Sequence, residues 1–128
     1  MDYFRKQLGK RGEDLATQYL ISKGYQVVQR NYLLRNGEID IIAIENPRLP
    51  ADQRTLVFFE VKTRSSNDYG TPLEAITYFK MKALIRAAEF YKHSHKNLPD
   101  GMRIDAISVT LLPSGELDEI EQVRNISQ

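Results

Sequence analysis

Charged residues interrupt two runs of β-branched and aromatic residues near the middle of the chain, and this feature constrains the fold most. The runs cover residues 38–44 (EIDIIAI) and 56–63 (LVFFEVKT), and both are typical of strands. In the second run Glu60 and Lys62 are two residues apart. They share one face of a sheet, because side chains alternate along a strand. Charges on such a strand are costly to bury unless they are paired or bind a metal ion.

The first part of the chain predicts a helix followed by a hairpin. Residues 1 to about 20 carry apolar side chains at helical spacing, and Gly24 is a typical stop at the end of a helix. Residues 25–30 predict a short first strand that ends in a turn at Asn31. Asn36-Gly37 then predicts a hairpin into the strand at residues 38–44.

The second part of the chain predicts another helix and at least one more strand. Thr71-Pro72-Leu73-Glu74 is a capping box, so we expect a helix from Thr71 that is interrupted near Thr77 and reaches about His95. Residues 103–112 predict a fourth strand, and the acidic stretch after it predicts a final strand or helix. The order α-β-β-β-α-β predicts an α/β or α+β domain with a mixed sheet.

Composition restricts the class of protein. The chain has 128 residues, of which 41% are apolar and 27% charged, as expected for one folded domain over residues 1–128. It has no cysteine, which excludes a disulfide framework, a thiolate zinc site and a cysteine nucleophile. No apolar core of signal-peptide length and no membrane-spanning run is present, so we expect a cytoplasmic protein without membrane association.

The net charge of +1 argues at face value against strong nucleic-acid binding, but the charge is uneven along the chain. Residues 1–36 carry seven Lys or Arg against three acids, whereas residues 104–128 carry one against five. Basic residues could line a groove that follows a phosphate backbone, although helix surfaces are normally rich in them, and the sequence does not separate these two interpretations. The candidates for nucleic-acid contact are Arg11, Arg35, Arg64, Lys82 and Arg86.

Carboxylates also occur on the strand before Glu60, at Glu38 and Asp40. The hairpin-like order makes the two strands neighbours, so Asp40 and Glu60 could share a divalent cation. Mg²⁺ prefers oxygen ligands, and a lysine beside it can position a water or stabilise charge on a phosphate. The alternative is a cross-strand salt bridge between Lys62 and one carboxylate, and Glu60-x-Lys62 taken alone favours that alternative.

One residue from each helix can reach the same site. Glu13 lies about 20° from Leu20 around the first helix, at the edge of its apolar stripe. Lys80 is in line with Leu84 on the second helix. The alternatives are that Glu13 is a solvated boundary residue and that Lys80 only packs its aliphatic stem.

The aromatic residues of the two helices fall mostly at helical packing positions. We expect them in the core or at a dimer interface rather than in a base-stacking platform. They are Tyr19, Tyr78, Phe79, Phe90 and Tyr91.

Taken together, these motifs resemble the YraN family of bacterial proteins. The resemblance runs from Leu8 to about Leu111, and its most specific part is GEID at residues 37–40 followed some twenty residues later by FEVKTR at 59–64. Gly12-Glu13 and Arg103-Ile104-Asp105 add to it. That family is placed in the restriction-endonuclease-like superfamily, near the archaeal Holliday-junction resolvases.

The resemblance implies a fold, a cofactor and a set of site residues. The fold is an αβββαβ core with helices flanking a sheet of four to five strands, the cofactor is Mg²⁺ or Mn²⁺, and the protein forms homodimers in the resolvase manner. One departure is Ile39, which stands where the superfamily usually has proline before the aspartate. By position, the resemblance implies catalytic Glu13, Asp40, Glu60 and Lys62, with the three acids holding the metal and with Glu38 and Lys80 in support.

Three functional hypotheses follow. The first is a Mg²⁺-dependent nuclease acting on DNA, including branched DNA, by attack of an activated water on a phosphodiester. The second is a nucleic-acid-binding module without turnover, and the third is a protein–protein adaptor in which the Glu60-x-Lys62 face is an ion-pair network. The intact set of acids favours the first hypothesis, since an adaptor needs no cluster suited to a metal ion.

Overall fold

Two helices and five strands make up the fold of the residues that the structure describes. The computed structural model describes residues 2–35, 37–66 and 76–127. In chain order the elements are helix α1 (Asp2–Ser22), strands β1 (Gln26–Leu34), β2 (Gly37–Glu45) and β3 (Thr55–Ser65), helix α2 (Tyr78–Ser94), and strands β4 (Gly101–Leu111) and β5 (Leu117–Val123). A short 3-10 turn, Ala51–Gln53, lies between β2 and β3.

The strands form one mixed sheet in the order β1-β2-β3-β4-β5. β3 and β4 are parallel and are joined through α2, while the other neighbouring pairs are antiparallel. This confirms the predicted mixed α/β class, the pairing of the two charged strands and the αβββαβ order. The acidic stretch near the end of the chain is a strand rather than a helix.

Core residues cover both faces of the sheet, which is why β2 and β3 carry nearly continuous apolar runs. On the side of α1, Leu20 packs with Ile41 and Phe59. On the side of α2, Leu84 and Tyr91 pack with β2 and β3. No helix among the described residues is long and apolar enough to cross a membrane.

A glycine sets how closely α1 approaches β3. A Cβ atom added to Gly12 would collide with the side chain of Thr63. The absence of a side chain at Gly12 therefore lets the helix lie directly on the strand, and this contact brings the next residue, Glu13, toward the charged part of the sheet.

One predicted boundary differs from the observed one. β1 does not end at Asn31 but continues to Leu34, because Asn31 adopts a left-handed φ of 53° within the strand and pairing resumes after it. Asparagine tolerates this conformation better than most residues.

α2 begins at Tyr78, where the Thr77 hydroxyl accepts the Lys80 N–H. The capping box predicted at residues 71–74 and Asn36 of the predicted hairpin lie outside the described residues.

Of the four aromatic residues of α2 that were predicted to lie in the core or at a dimer interface, one lies in the core. Tyr91 is buried, but Tyr78, Phe79 and Phe90 are 66%, 82% and 55% exposed. The reason is the rotation of the helix, whose buried stripe contains Leu84, Ala87, Ala88 and Tyr91.

Candidate functional site

Asp40 and Glu60 lie beside each other where β2 and β3 separate. Regular pairing reaches Ile41 opposite Phe59, and the next contact is made by the Asp40 carboxylate, which accepts the Val61 N–H at 2.8 Å. The side chain thus replaces a backbone acceptor at the fork between the strands. Both acids are almost completely buried, with Asp40 8% and Glu60 3% exposed.

The surroundings of Asp40 favour its protonated form. Burial and the adjacent Glu60 carboxylate, with a further contribution from Glu13, raise the pKa of Asp40 to about 8, against the opposing effect of the Val61 N–H. Two neighbouring carboxylates cannot both ionise cheaply in a buried place. Without a further positive charge, Asp40 therefore keeps its proton at neutral pH.

Two lysines converge on one oxygen of Glu60. Lys80 Nζ lies 2.6 Å and Lys62 Nζ 3.5 Å from Glu60 Oε2. At 2.6 Å the Lys80 ammonium is in direct charge-assisted contact with Glu60 Oε2, and the Lys62 ammonium lies farther away. Two ammonium groups therefore balance the charge of the buried Glu60 carboxylate.

The two ammonium groups differ in how firmly they hold a proton. Burial and the neighbouring Lys80 lower the pKa of Lys62, and Glu60 only partly offsets them. Burial also opposes the charge on Lys80, but its contacts with Glu60 and Lys62 outweigh that effect and raise the pKa of Lys80. Lys62 is thus the lysine better suited to accept and release a proton, and Lys80 the better fixed charge.

Three carboxylates from α1 and β2 meet beside this pair. One oxygen each of Glu13, Glu38 and Asp40 lies within 4.8 Å of the other two. Burial and the Glu38 charge raise the pKa of Glu13, while Arg30 opposes the increase. The predicted residues Glu13, Glu38 and Asp40 are thus brought together, and Glu60 joins them through its contact with Asp40.

Asn31 and Arg30 hold this cluster, although neither was predicted from the sequence as a site residue. With its amide oriented to satisfy its neighbours, Asn31 donates to Glu13 Oε1 at 2.9 Å and to Glu38 Oε1 at 3.0 Å. Arg30 Nη2 lies 2.9 Å from Asp14 and 3.7 Å from Glu13. The signal available in the sequence was an asparagine within a strand-like segment, because asparagine adopts a left-handed backbone conformation more readily than most residues.

The acids and lysines open onto a cleft of about 660 Å³ between the end of the β1–β2 hairpin and the start of α2. Glu38, Asp40, Glu60, Lys62 and Lys80 all line this cleft. Glu13 lies on the α1 side of the same cluster, beside Lys6, Lys10 and Arg30. Charged groups of both signs are therefore accessible to an anionic ligand from two sides.

The predicted nucleic-acid contacts are distributed over several places. Arg11 lies at the β4–β5 turn, where its Nε donates to the Gly115 carbonyl at 3.1 Å, and it does not line the cleft. Arg64 follows Lys62 by two residues on β3. Lys82 lies over the ring of Tyr78, with its Nζ 4.9 Å from the ring centroid. Arg35 and Arg86 line a smaller groove next to the cleft.

The donor set fits a hard divalent cation. The atoms that converge are carboxylate oxygens, the ligands that Mg²⁺ and Mn²⁺ prefer, with no histidine or cysteine in the described cluster. Asp40 needs a positive neighbour to ionise near neutral pH, and one oxygen each of Glu13, Glu38 and Asp40 converge. Both observations fit a cation held at Asp40 and Glu13, with Glu60 next to Asp40.

A second charged network lies away from the cleft. Asp105 accepts from Arg103 Nε at 2.8 Å, from Arg103 Nη2 at 3.0 Å and from Gln122 at 2.9 Å. Arg103 also donates to Glu45 at 2.9 Å, and the Tyr25 hydroxyl donates to the same carboxylate. The donors and acceptors in this network satisfy one another, which indicates that it connects strands rather than binding a ligand.

The fold and the cleft together define a mixed α/β protein with a carboxylate–lysine site at a fork between two strands. Residues 12–109 match the model of a family described as Uncharacterised protein family UPF0102. A UPF0102 protein of Chlorobium phaeobacteroides is 46% identical over 85% of this chain and 81% of its own, and one of Geobacter metallireducens is 40% identical over 98% and 95%. The chain belongs to the UPF0102 family, and the matched residues include every acid and lysine of the cleft.

Proposed function

We propose that this protein hydrolyses phosphodiester bonds in DNA with the help of a bound Mg²⁺ or Mn²⁺ ion. The observation that carries the proposal is the pair of almost completely buried acids, Asp40 and Glu60, next to Lys62 at the edge of an open cleft. A strand that only stabilises the fold gains little from two acids in contact, since their repulsion favours a protonated side chain.

The residues of the cleft have separate tasks in such a reaction. Asp40, Glu60 and Glu13 would hold the cation, with Glu38 beside them. When bound there, the cation would lower the pKa of a water molecule and offset negative charge on the phosphate. Asn31 orients Glu13 through its amide, and Lys80 keeps Glu60 in place by its ion pair.

Lys62 is the residue that would handle the proton. Its lowered pKa makes its Nζ able to take the proton of the attacking water or, when charged, to stabilise the negative charge on the phosphate oxygens. The water oxygen would bond to phosphorus as its proton passes to Lys62, the bond from phosphorus to one ester oxygen would break, and that oxygen would take a proton from the charged Lys62 or from solvent.

The basic surroundings of the acids support DNA as the substrate. Lys6, Lys10 and Arg30 lie on the α1 side of the cluster, and Lys62 and Lys80 lie on the α2 side. Such an arrangement can contact phosphates on both sides of the bond that is cut. The resemblance to the YraN family makes branched DNA the first substrate to test, and a homodimer the assembly to look for.

Cleavage assays on end-labelled linear duplex, single-stranded and four-way-junction DNA test this proposal. We expect cleavage with Mg²⁺ or Mn²⁺ and none with EDTA. Glu60→Gln and Lys62→Met should each lower the rate by about 10²–10³-fold, since each removes charge from the reacting centre. Glu119→Gln, which removes an exposed carboxylate from β5, is the matched control and should cut like the wild type.

Two results would contradict the proposal. One is the absence of cleavage on every substrate, and the other is cleavage that persists in both Glu60→Gln and Lys62→Met. Salt-dependent DNA binding that is indifferent to Glu60→Gln, without any cleavage, would favour the non-catalytic binding module instead.

A further inference from the structure

A second groove continues from the cleft along α2. It has a volume of about 250 Å³ and lies between the end of the β1–β2 hairpin and one flank of the helix. Gly37 and Ala83 line both the cleft and this groove, so the two are continuous. We call it the arginine groove, and its lining residues are Leu34, Arg35, Gly37, Ala83, Arg86, Ala87 and Phe90.

An exposed aromatic side chain of α2 lines each of the two neighbouring grooves. Phe79 lines the cleft and Phe90 lines the arginine groove, and both are more than half exposed. Leu33, also exposed, lines the cleft together with Phe79. Large exposed aromatic rings on a helix that already buries Leu84 and Tyr91 are not needed for folding.

The charges of the arginine groove favour a polyanion over a second copy of the chain. Arg35 and Arg86 are its charged lining residues, and no acid lies among those that the structure describes there. A two-fold contact between identical grooves would set these cations against each other. An unpaired nucleic-acid strand instead offers phosphates to the arginines and flat bases to the aromatic rings.

We propose that the arginine groove binds an unpaired DNA strand that leaves the cleft, with bases on Phe79 and Phe90 and phosphates at Arg35 and Arg86. This inference rests on the proposed function, since it names the substrate class of that site: DNA with unpaired nucleotides next to the bond that is cut. Eleven residues separate the two rings, which is about 16 Å of helix. A strand at the B-form rise covers that distance with about five nucleotides.

Binding measured without cleavage tests this proposal. Fluorescence anisotropy in EDTA compares a labelled 12-nucleotide single strand with a duplex of the same length. We expect the double variant Phe79→Leu, Phe90→Leu to bind the single strand at least about 10-fold more weakly, since a leucine has no π face for stacking. Its affinity for the duplex should change by less than about 2-fold, because paired bases are already stacked. Leu49→Ala, an exposed apolar residue in the β2–β3 loop, is the control and should bind both as the wild type does.

The arginines give an independent measurement. Arg35→Ala with Arg86→Ala should weaken single-strand binding and reduce the slope of log affinity against log salt by about 1.4, because each arginine neutralises one phosphate of a single strand. Arg48→Ala, a single exposed arginine in the β2–β3 loop, should leave the slope unchanged. The four aromatic and arginine positions are at the surface, so circular dichroism should show wild-type folding for all variants.

The outcomes separate this proposal from the proposed activity. If the wild-type protein cleaves DNA but the aromatic variant binds single strands as tightly as the wild type, the proposal for the arginine groove is wrong. The proposed nuclease activity is then still supported. If the wild-type protein cleaves no DNA, but the aromatic and arginine variants lose single-strand binding, the proposal for the arginine groove is supported. The proposed nuclease activity is then contradicted. If the variants change the molar mass by light scattering without changing DNA affinity, the groove is an interface between copies and the proposal is overturned.

Discussion

Replacing Asp40 with asparagine is expected to stabilise the metal-free protein at pH 9 by at least about 2 kcal/mol. Burial and the neighbouring Glu60 raise the pKa of Asp40 in the folded protein from 3.8 to about 8. The fold therefore prefers the protonated acid, and its stabilising effect is complete below pH 4 and is lost as the pH rises to 8. Asparagine stays neutral throughout and can still accept the Val61 N–H.

Urea unfolding in EDTA at pH 5, 7 and 9 measures this effect. The difference in unfolding free energy between Asp40→Asn and the wild type should increase with pH across this range. Asp118→Asn, an exposed acid on β5, is the control and should follow the wild type at each pH. If the curves of Asp40→Asn and the wild type are parallel, the two buried acids do not repel each other as described.

Removing the Asp105 carboxylate is expected to destabilise the protein by about 3–5 kcal/mol, the usual cost of breaking a buried ion pair. Asp105 is fully buried and accepts from Arg103, from Gln122 and from the Asn125 N–H. Asp105→Ala leaves the largely buried guanidinium of Arg103 with Glu45 as its remaining acidic partner, beside the Tyr25 hydroxyl. It also removes the side-chain hydrogen bonds from β4 to Gln122 and to the Asn125 N–H.

Urea unfolding at pH 7 tests this prediction, with Asp105→Asn as a milder variant in case the alanine variant does not fold. Asp100→Ala is the matched control, because Asp100 also pairs with a basic residue, Lys92, but on the surface. It should change the unfolding free energy little. A loss of less than about 1 kcal/mol in Asp105→Ala would show that the network is not the structural connection inferred from its contacts.

The acids of the cleft could be predicted because they violate the pattern of the strands that carry them. Alternation along β3 puts Glu60 and Lys62 on one face, and the order of the strands makes Asp40 a neighbour of Glu60. Helical spacing likewise directs Lys80 toward the sheet, and its ammonium does contact Glu60. In each case the periodicity of the strand or helix, together with the pairing of consecutive strands, determines where the side chain lies.

The remaining parts of the site depend on contacts that no local period encodes. Asn31 bridges Glu13 and Glu38 only because its backbone is left-handed inside a strand, and the same residue type is equally common in turns. The rotation of α2, which exposes Phe79 and Phe90, is decided by packing against both β2 and β4. The network around Asp105 joins residues that are far apart in the chain. Arg103 and Asp105 could therefore be recognised as part of a motif, but their structural role could not be predicted from the sequence.

Calorimetric titration of the metal-free protein with Mn²⁺ at pH 7 shows whether the acids of the cleft bind a divalent cation. The wild type should bind Mn²⁺ and release close to one proton, measured by repeating the titration in two buffers of different ionisation enthalpy, because Asp40 has a pKa of about 8 and must ionise to bind. Asp40→Asn should neither bind the ion tightly nor release the proton. Absence of Mn²⁺ binding by the wild type, or equal binding by Asp40→Asn, would contradict the assignment of this cleft as a metal-dependent site.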